Sequence, residues 1–99
     1  MENELVLEGR VDAATNFLKA MASPSRLKIL CALLDGEKTV GQLTEEAGLS
    51  QSAVSQHLGR LRAERLVSTR RDAQSIHYRI ADDTARAIIA TLHDRFCRS

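Results

Sequence analysis

Residues 40–66 read VGQLTEEAGLSQSAVSQHLGRLRAERL, and the fold of the chain depends on them. Val40 to Ala47 can close a short helix with Val40 and Leu43 apolar and Glu45 and Glu46 polar. Gly48 suits the end of that helix, where a left-handed backbone is cheap only without a Cβ. Ser50 is an N-cap for a second helix, because its hydroxyl can accept from a free backbone N–H. Val54, Leu58 and Leu61 recur at i, i+4, i+7 and bury one face of that second helix. The opposite face carries Gln51, Ser52, Ser55 and Gln56, all short, polar and uncharged. A helix–turn–helix that reads DNA needs such a second helix, with hydrogen-bonding side chains near its N-terminus that reach base edges.

Upstream, residues 1–9 form a polar lead-in, with Leu5 and Leu7 able to pack on a neighbour. From Val11, the apolar positions Ala14, Phe17, Leu18 and Met21 keep helical spacing. That helix ends near Ser23-Pro24, since the residue before a proline avoids the helical region. Ser23 can cap and Pro24 can open the next helix. The apolar stripe of that helix is Leu27, Leu30, Cys31 and Leu34, with Arg26 and Lys28 off it, and Asp35-Gly36 stops it. Downstream of Leu66 the pattern alternates. Val67, Thr69 and Arg71 oppose Ser68 and Arg70, Asp72-Ala73-Gln74 turn, and Ile76, Tyr78 and Ile80 share a face. This predicts a β-hairpin whose tip region displays Arg70, Arg71 and Gln74. Asp82 or Asp83 can cap a last helix with the stripe Ala85, Ile88, Ile89, Leu92 and Phe96, ending near Cys97.

The expected order is helix, helix, helix, recognition helix, hairpin, helix. It is a mainly α winged helix–turn–helix in one domain over residues 1–99, without repeats or low-complexity segments. Hydrophobic residues make up 43%, but Trp is absent and there are only one Tyr and two Phe, so the core must be aliphatic. The first and last helices carry apolar faces that a domain this small cannot wholly cover, and exposed stripes of that kind are a liability. A homodimer built from those two helices is the expected solution. It would present two recognition helices to successive major grooves, about 34 Å apart.

The net charge of +1 hides a sorting. Residues 51–79 hold six arginines (60, 62, 65, 70, 71, 79) against Glu64 and Asp72, a local net of +4, which leaves −3 for the remainder. A basic segment in a near-neutral protein fits a surface that faces nucleic acid. No run is long enough to span a membrane and no signal-peptide pattern opens the chain, so a cytoplasmic protein is expected. Ser25, His57 and Asp72 lie in no nucleophile motif and no glycine-rich phosphate loop exists, so an enzyme is not expected.

Gln51, Ser52, Ser55 and Gln56 are the candidate base readers, since Gln can pair in a bidentate way with adenine and Ser with several bases. Ser50 fits a cap better than a reader. His57 borders the buried stripe and is structural or phosphate-facing. Arg60, Arg62, Arg70, Arg71 and Gln74 are candidate phosphate or minor-groove contacts, and Arg65 is a solvated or ion-paired residue. On spacing alone, Cys31 reads as a buried, inert cysteine. Cys97, near the chain end, reads as an accessible thiol that Arg95, Arg98 or a helix terminus could activate.

FLKAMASPSRLKILCALL (17–34), VGQLTEEAGLSQSAVSQHLGRLRAERLV (40–67) and TRRDAQSIHYRI (69–80) together resemble the ArsR/SmtB family of winged-helix regulators over nearly the whole chain. Within it the chain is similar to the BigR/SqrR-type branch, which senses reactive sulfur species through a cysteine pair. One cysteine of that branch lies in "ILC" of the second helix and the other at the end of the last, here Cys31 and Cys97. The resemblance implies a dimeric regulator, expected to be a repressor, that binds an imperfect palindromic operator in double-stranded DNA. Its inducer would be an inorganic or organic persulfide or polysulfide that links Cys31 to Cys97 and releases the promoter. The alternative within the family is a response to metal or to general thiol or peroxide oxidation. Metal-sensing members carry Cys-x-Cys before the recognition helix, or paired Asp and His on the last helix. Here residues 40–44 hold no cysteine, and the last helix offers Asp82, Asp83, His93 and Asp94 without the paired pattern. No metal site and no cofactor is therefore expected.

Overall fold

The computed structural model describes residues 9–97, so Leu5, Leu7 and Arg98 lie outside the described residues. Helix α1 (Arg10–Met21) and helix α2 (Pro24–Ala32) meet at Ser23, whose Oγ accepts from the Arg26 N–H at 3.1 Å. Pro24 occupies the first helical position, where its missing N–H costs nothing. A single 3-10 turn (Leu33–Asp35) ends α2, and Gly36 at φ 136 redirects the chain. Strand β1 (Lys38–Thr39) leads into helix α3 (Val40–Ala47), and helix α4 (Gln51–Ala63) comes next. Strands β2 (Val67–Asp72) and β3 (Ser75–Ile80) form the hairpin, and helix α5 (Asp83–Phe96) closes the fold. No helix among the described residues is long and apolar enough to cross a membrane.

The turn between α3 and α4 is built as its residues predict. Thr39 and Gln42 form a reciprocal capping box, Gly48 takes φ 67, and Ser50 Oγ accepts from the Ala53 N–H at 3.1 Å. At its far end α4 stops in a Schellman motif. The Leu66 N–H reaches Leu61 O and the Arg65 N–H reaches Arg62 O, both at 2.9 Å. Arg65 occupies the left-handed position at φ 63, where glycine is usual. Val54, Leu58 and Leu61 of α4 are buried with Ile29, Leu30, Leu33, Leu43, Leu66, Val67, Ile80 and Ile89 in one aliphatic core.

Three features differ from the sequence expectation. Lys38 and Thr39 are a strand, because they pair with Tyr78 and His77 of β3 and make a three-stranded sheet of order β1-β3-β2. The hairpin turn is only Ala73-Gln74, since Asp72 still pairs with Ser75, and Ala73 sits at φ 57. The core face of α2 is Arg26, Ile29 and Leu30, continued by Leu33, while Leu27, Cys31 and Leu34 lie half-buried beside it. Arg26 is therefore not off the core but 8% exposed. Its Nε donates to Ala20 O at 2.7 Å and its Nη2 to Lys19 O at 3.3 Å, so it caps the carbonyl end of α1.

Candidate nucleic-acid interface and cysteine groove

Helix α4 presents Gln51, Ser52, Ser55 and Gln56 to solvent on one face. Ser50 is committed to its capping bond and lies 3.4 Å from Ser52 through the two hydroxyls. His57 is half-buried beside the core stripe, and Arg60 and Arg62 are exposed. Gly59 continues the exposed face, and a Cβ there would meet nothing within 4 Å. Burial, and after it the nearby Arg60, lowers the proton affinity of the Arg26 guanidinium.

The hairpin divides the remaining candidates between its two faces. The pairs Val67–Ile80, Thr69–Tyr78 and Arg71–Ile76 run from the core out to the tip, where Arg71 and Ile76 are exposed. Gln74 is exposed in the turn itself. Arg70, paired with His77, lies on the other face. Arg70 is not a free tip cation. Its Nε and Nη2 donate to Glu37 Oε1 at 3.0 and 2.8 Å, Nε lies 3.3 Å from Glu37 Oε2, and Nη1 is 3.9 Å from Asp72 Oδ2. The hydrogen bond from Arg70 holds Glu37 below the ordinary carboxylate range, and the same bond raises Arg70. No local pattern in the sequence marks Glu37, because its partner lies 33 positions away.

The two thiols line one groove between α2 and α5. Cys31 is half-buried on α2, and Cys97 is exposed at the C-cap of α5. Leu27, Cys31, Leu92, His93, Phe96 and Cys97 line one groove of about 280 Å³ between the two helices. Burial pushes the Cys31 thiol above its ordinary range, and the neighbouring Cys97 adds to the shift. Both thiols are free. Arg95, a candidate thiolate activator, instead stacks over the Phe96 ring at 4.8 Å from its centroid. Among the described residues no group of three or more His, Cys, Asp or Glu could hold a metal ion.

Apolar surface on the first and last helices is open. Val11 and Leu18 of α1 are 45% and 52% exposed, and Leu92 and Phe96 of α5 are 37% and 70% exposed. Among the described residues, four of the five exposed large hydrophobics thus lie on the first and last helices. The fifth is Ile76 of the hairpin.

Residues 23–69 match the family model described as bacterial regulatory protein, arsR family. The chain is 53% identical over 83 residues to nodulation protein NolR of Rhizobium meliloti, covering 84% of this chain and 68% of that protein. It is 48% identical over 86 residues to the transcriptional activator HlyU of Vibrio cholerae, covering 87% and 80%. The crystal structure of the transcriptional repressor BigR from Xylella fastidiosa superposes with a TM-score of 0.84 at 35% identity, covering 99% of this chain and 100% of that one.

Proposed function

The chain belongs to the ArsR family of bacterial DNA-binding transcriptional regulators, and from that premise we propose that it is a repressor whose promoter binding is released when persulfide oxidation links Cys31 to Cys97. The observation that supports this reading is the groove between α2 and α5, which Cys31 and Cys97 both line.

The reduced protein acts as a homodimer joined through the exposed stripes of α1 and α5, Val11, Leu18, Leu92 and Phe96. Its two α4 helices enter successive major grooves of an imperfect palindrome in double-stranded DNA. Gln51, Ser52, Ser55 and Gln56 read bases, while Arg60, Arg71 and Gln74 touch backbone or minor groove. His57 supports that surface from beside the core.

The chemistry starts at Cys97. It is exposed, whereas burial disfavours the Cys31 thiolate. The Cys97 thiolate attacks the outer sulfur of an organic persulfide RSSH, and RS⁻ leaves, giving a Cys97 persulfide. The Cys31 thiol then loses its proton to solvent and attacks the inner sulfur of that persulfide. HS⁻ leaves, and a Cys31–Cys97 bridge remains. The protein pair is oxidised by two electrons, and the transferred sulfur is reduced to sulfide. A second sulfur transfer before closure inserts one sulfur into the bridge. The link joins α5, a dimer element, to α2, a scaffold of the helix–turn–helix. Closing a loop of about 66 residues constrains the chain by about 4 kcal/mol in the entropy model. Couplings of about 1–3 kcal/mol suffice to change occupancy of a site.

Mass spectrometry of the whole chain tests the chemistry. After exposure to an organic persulfide, the Cys31–Cys97 peptide pair is expected to be linked, as the direct disulfide or, after a second transfer, with mass gains in steps of one sulfur. Zinc that binds tightly and protects both thiols from alkylation, with no linked peptide after persulfide, would instead favour a metal sensor. Linkage by peroxide alone, with no reaction toward persulfide, would favour a general oxidant sensor.

A further inference from the structure

Outside the recognition face and the cysteine groove, Glu37 and Arg70 form a long-range ion pair, with Arg70 Nη2 2.8 Å from Glu37 Oε1. We infer that Arg70 is a positioning residue which straps the wing to the start of the helix–turn–helix, and not a phosphate contact. This inference rests on the operator-binding reading of α4 and the wing.

The placement of the two residues carries it. Glu37 immediately precedes β1, and Arg70 lies on β2, so the pair joins the two outer strands of the sheet. Between them runs β3, whose His77 pairs with Thr39 on one side and with Arg70 on the other. The ion pair therefore crosses the central strand, a span of about 10 Å at ordinary strand spacing. A long side chain is needed to cover it, and the planar guanidinium supplies the fork that grips Glu37 through Nε and Nη2. Thr39, two residues after Glu37, is the N-cap of α3. A load on the wing thus reaches the capping box of the helix–turn–helix through two residues of chain.

Charge points the same way. Arg70 faces two carboxylates within 4 Å, Glu37 at 2.8 Å and Asp72 at 3.9 Å. These two carboxylates engage the Arg70 charge, so Arg70 itself offers a phosphate little that is unpaired. Presenting Arg70 to DNA would break its hydrogen bonds to Glu37 and leave the Glu37 carboxylate beside the backbone. Beyond Arg70, the neighbouring His77 and Arg79 also favour the Glu37 charge. Across the sheet Arg71 meets Ile76 at the exposed tip, not a carboxylate. The phosphate or minor-groove role expected of two adjacent arginines therefore falls to Arg71.

The test uses a duplex that the wild-type protein selects from a random-sequence pool, with binding followed by fluorescence anisotropy at several salt concentrations. Glu37→Gln and Arg70→Ala are each expected to weaken binding about two- to fivefold, the scale of an exposed pair. Both are expected to leave the slope of log K against log salt unchanged. Arg71→Ala is expected to reduce that slope by about 1.8, or about 0.9 for each phosphate lost by a dimer. The double exchange Glu37→Arg with Arg70→Glu is expected to recover most of the lost affinity. A slope loss of about 1.8 in Arg70→Ala, tighter binding by Glu37→Gln, or an exchanged protein weaker than both single variants overturns the strap. Amide hydrogen exchange in β2 of the DNA-free protein gives a readout independent of any operator. Faster exchange at residues 69–71 is expected in both single variants, with recovery in the exchanged one. Equal exchange in all four proteins overturns the strap even where the operator reading fails.

Discussion

Replacing Arg26 by methionine removes one charged head and keeps an unbranched apolar stem, and the cost can be worked from the contacts. The residue is 8% exposed, and its guanidinium donates to Ala20 O at 2.7 Å and to Lys19 O at 3.3 Å. Both carbonyls lie in the last turn of α1, where no intrahelical donor is available to the final four. Lys19 O keeps a second donor, the Ala22 N–H at 3.2 Å, but Ala20 sits in the core at 1% exposed. Leaving such a buried carbonyl unpaired costs about 1–3 kcal/mol, and the charged bond itself contributes about 1.5–3 kcal/mol. Part of this is returned, because burial disfavours the charged guanidinium and the like charge of Arg60 adds to that. A net loss of about 2 kcal/mol results, or roughly 8–16 °C in Tm for a domain of this size. Helix α1 also carries Val11 and Leu18, so the dimer is expected to weaken in parallel. Urea unfolding and sedimentation at one fixed protomer concentration measure both effects, since dimer stability depends on concentration. A methionine variant within about 0.5 kcal/mol of wild type would refute the role of Arg26 as the pin of α1.

Other consequences are smaller but equally open to measurement. Arg65 at φ 63 closes the Schellman motif without glycine. Arg65→Gly is therefore expected to raise stability by about 0.5–1 kcal/mol in urea unfolding, after the unfolded-state entropy of glycine is counted. Gly59 lies exposed within α4, with room for a Cβ. Gly59→Ala is expected to stabilise by about 0.5–1 kcal/mol in the same assay. Burial raises the Cys31 thiol and so keeps it protonated. Alkylation at neutral pH is expected to reach Cys97 first, with the Cys31 rate still climbing as pH passes the ordinary thiol value of 9.0. Peptide mapping that finds Cys31 labelled first would contradict initial attack by Cys97.

Much of the helix–turn–helix is legible in the sequence because its signals are local. Gly48, Ser50 and the spacing of Val54, Leu58 and Leu61 act within a few residues, and the structure places each as expected. The cap of α5 behaves alike, with Asp82 Oδ1 accepting from the Ala85 N–H at 2.8 Å. The core face of α2 is not legible, because Leu27, Ile29, Leu30, Cys31, Leu33 and Leu34 surround the helix with apolar side chains. Periodicity cannot choose among such faces, and packing against α3, α4 and α5 decides. Strand β1 leaves no trace in the sequence, because two residues become a strand only through their partner β3. The Glu37–Arg70 pair depends on that same partnership. Residue spacing alone favours an inert Cys31, and family resemblance reverses that preference. The shared groove with Cys97 is a tertiary fact that neither residue's surroundings in the sequence could supply.

Whether joining Cys31 to Cys97 releases DNA is the central question. Fluorescence anisotropy with the selected duplex, before and after an organic persulfide, measures this directly in the wild type, Cys31→Ser and Cys97→Ser. The wild type is expected to lose at least about tenfold in affinity, or about 1.4 kcal/mol, and to regain it with dithiothreitol. Both serine variants are expected to hold their reduced-state affinity. Unchanged binding by the oxidised wild type, or an equal loss in the two variants, would contradict a sensor built on this cysteine pair.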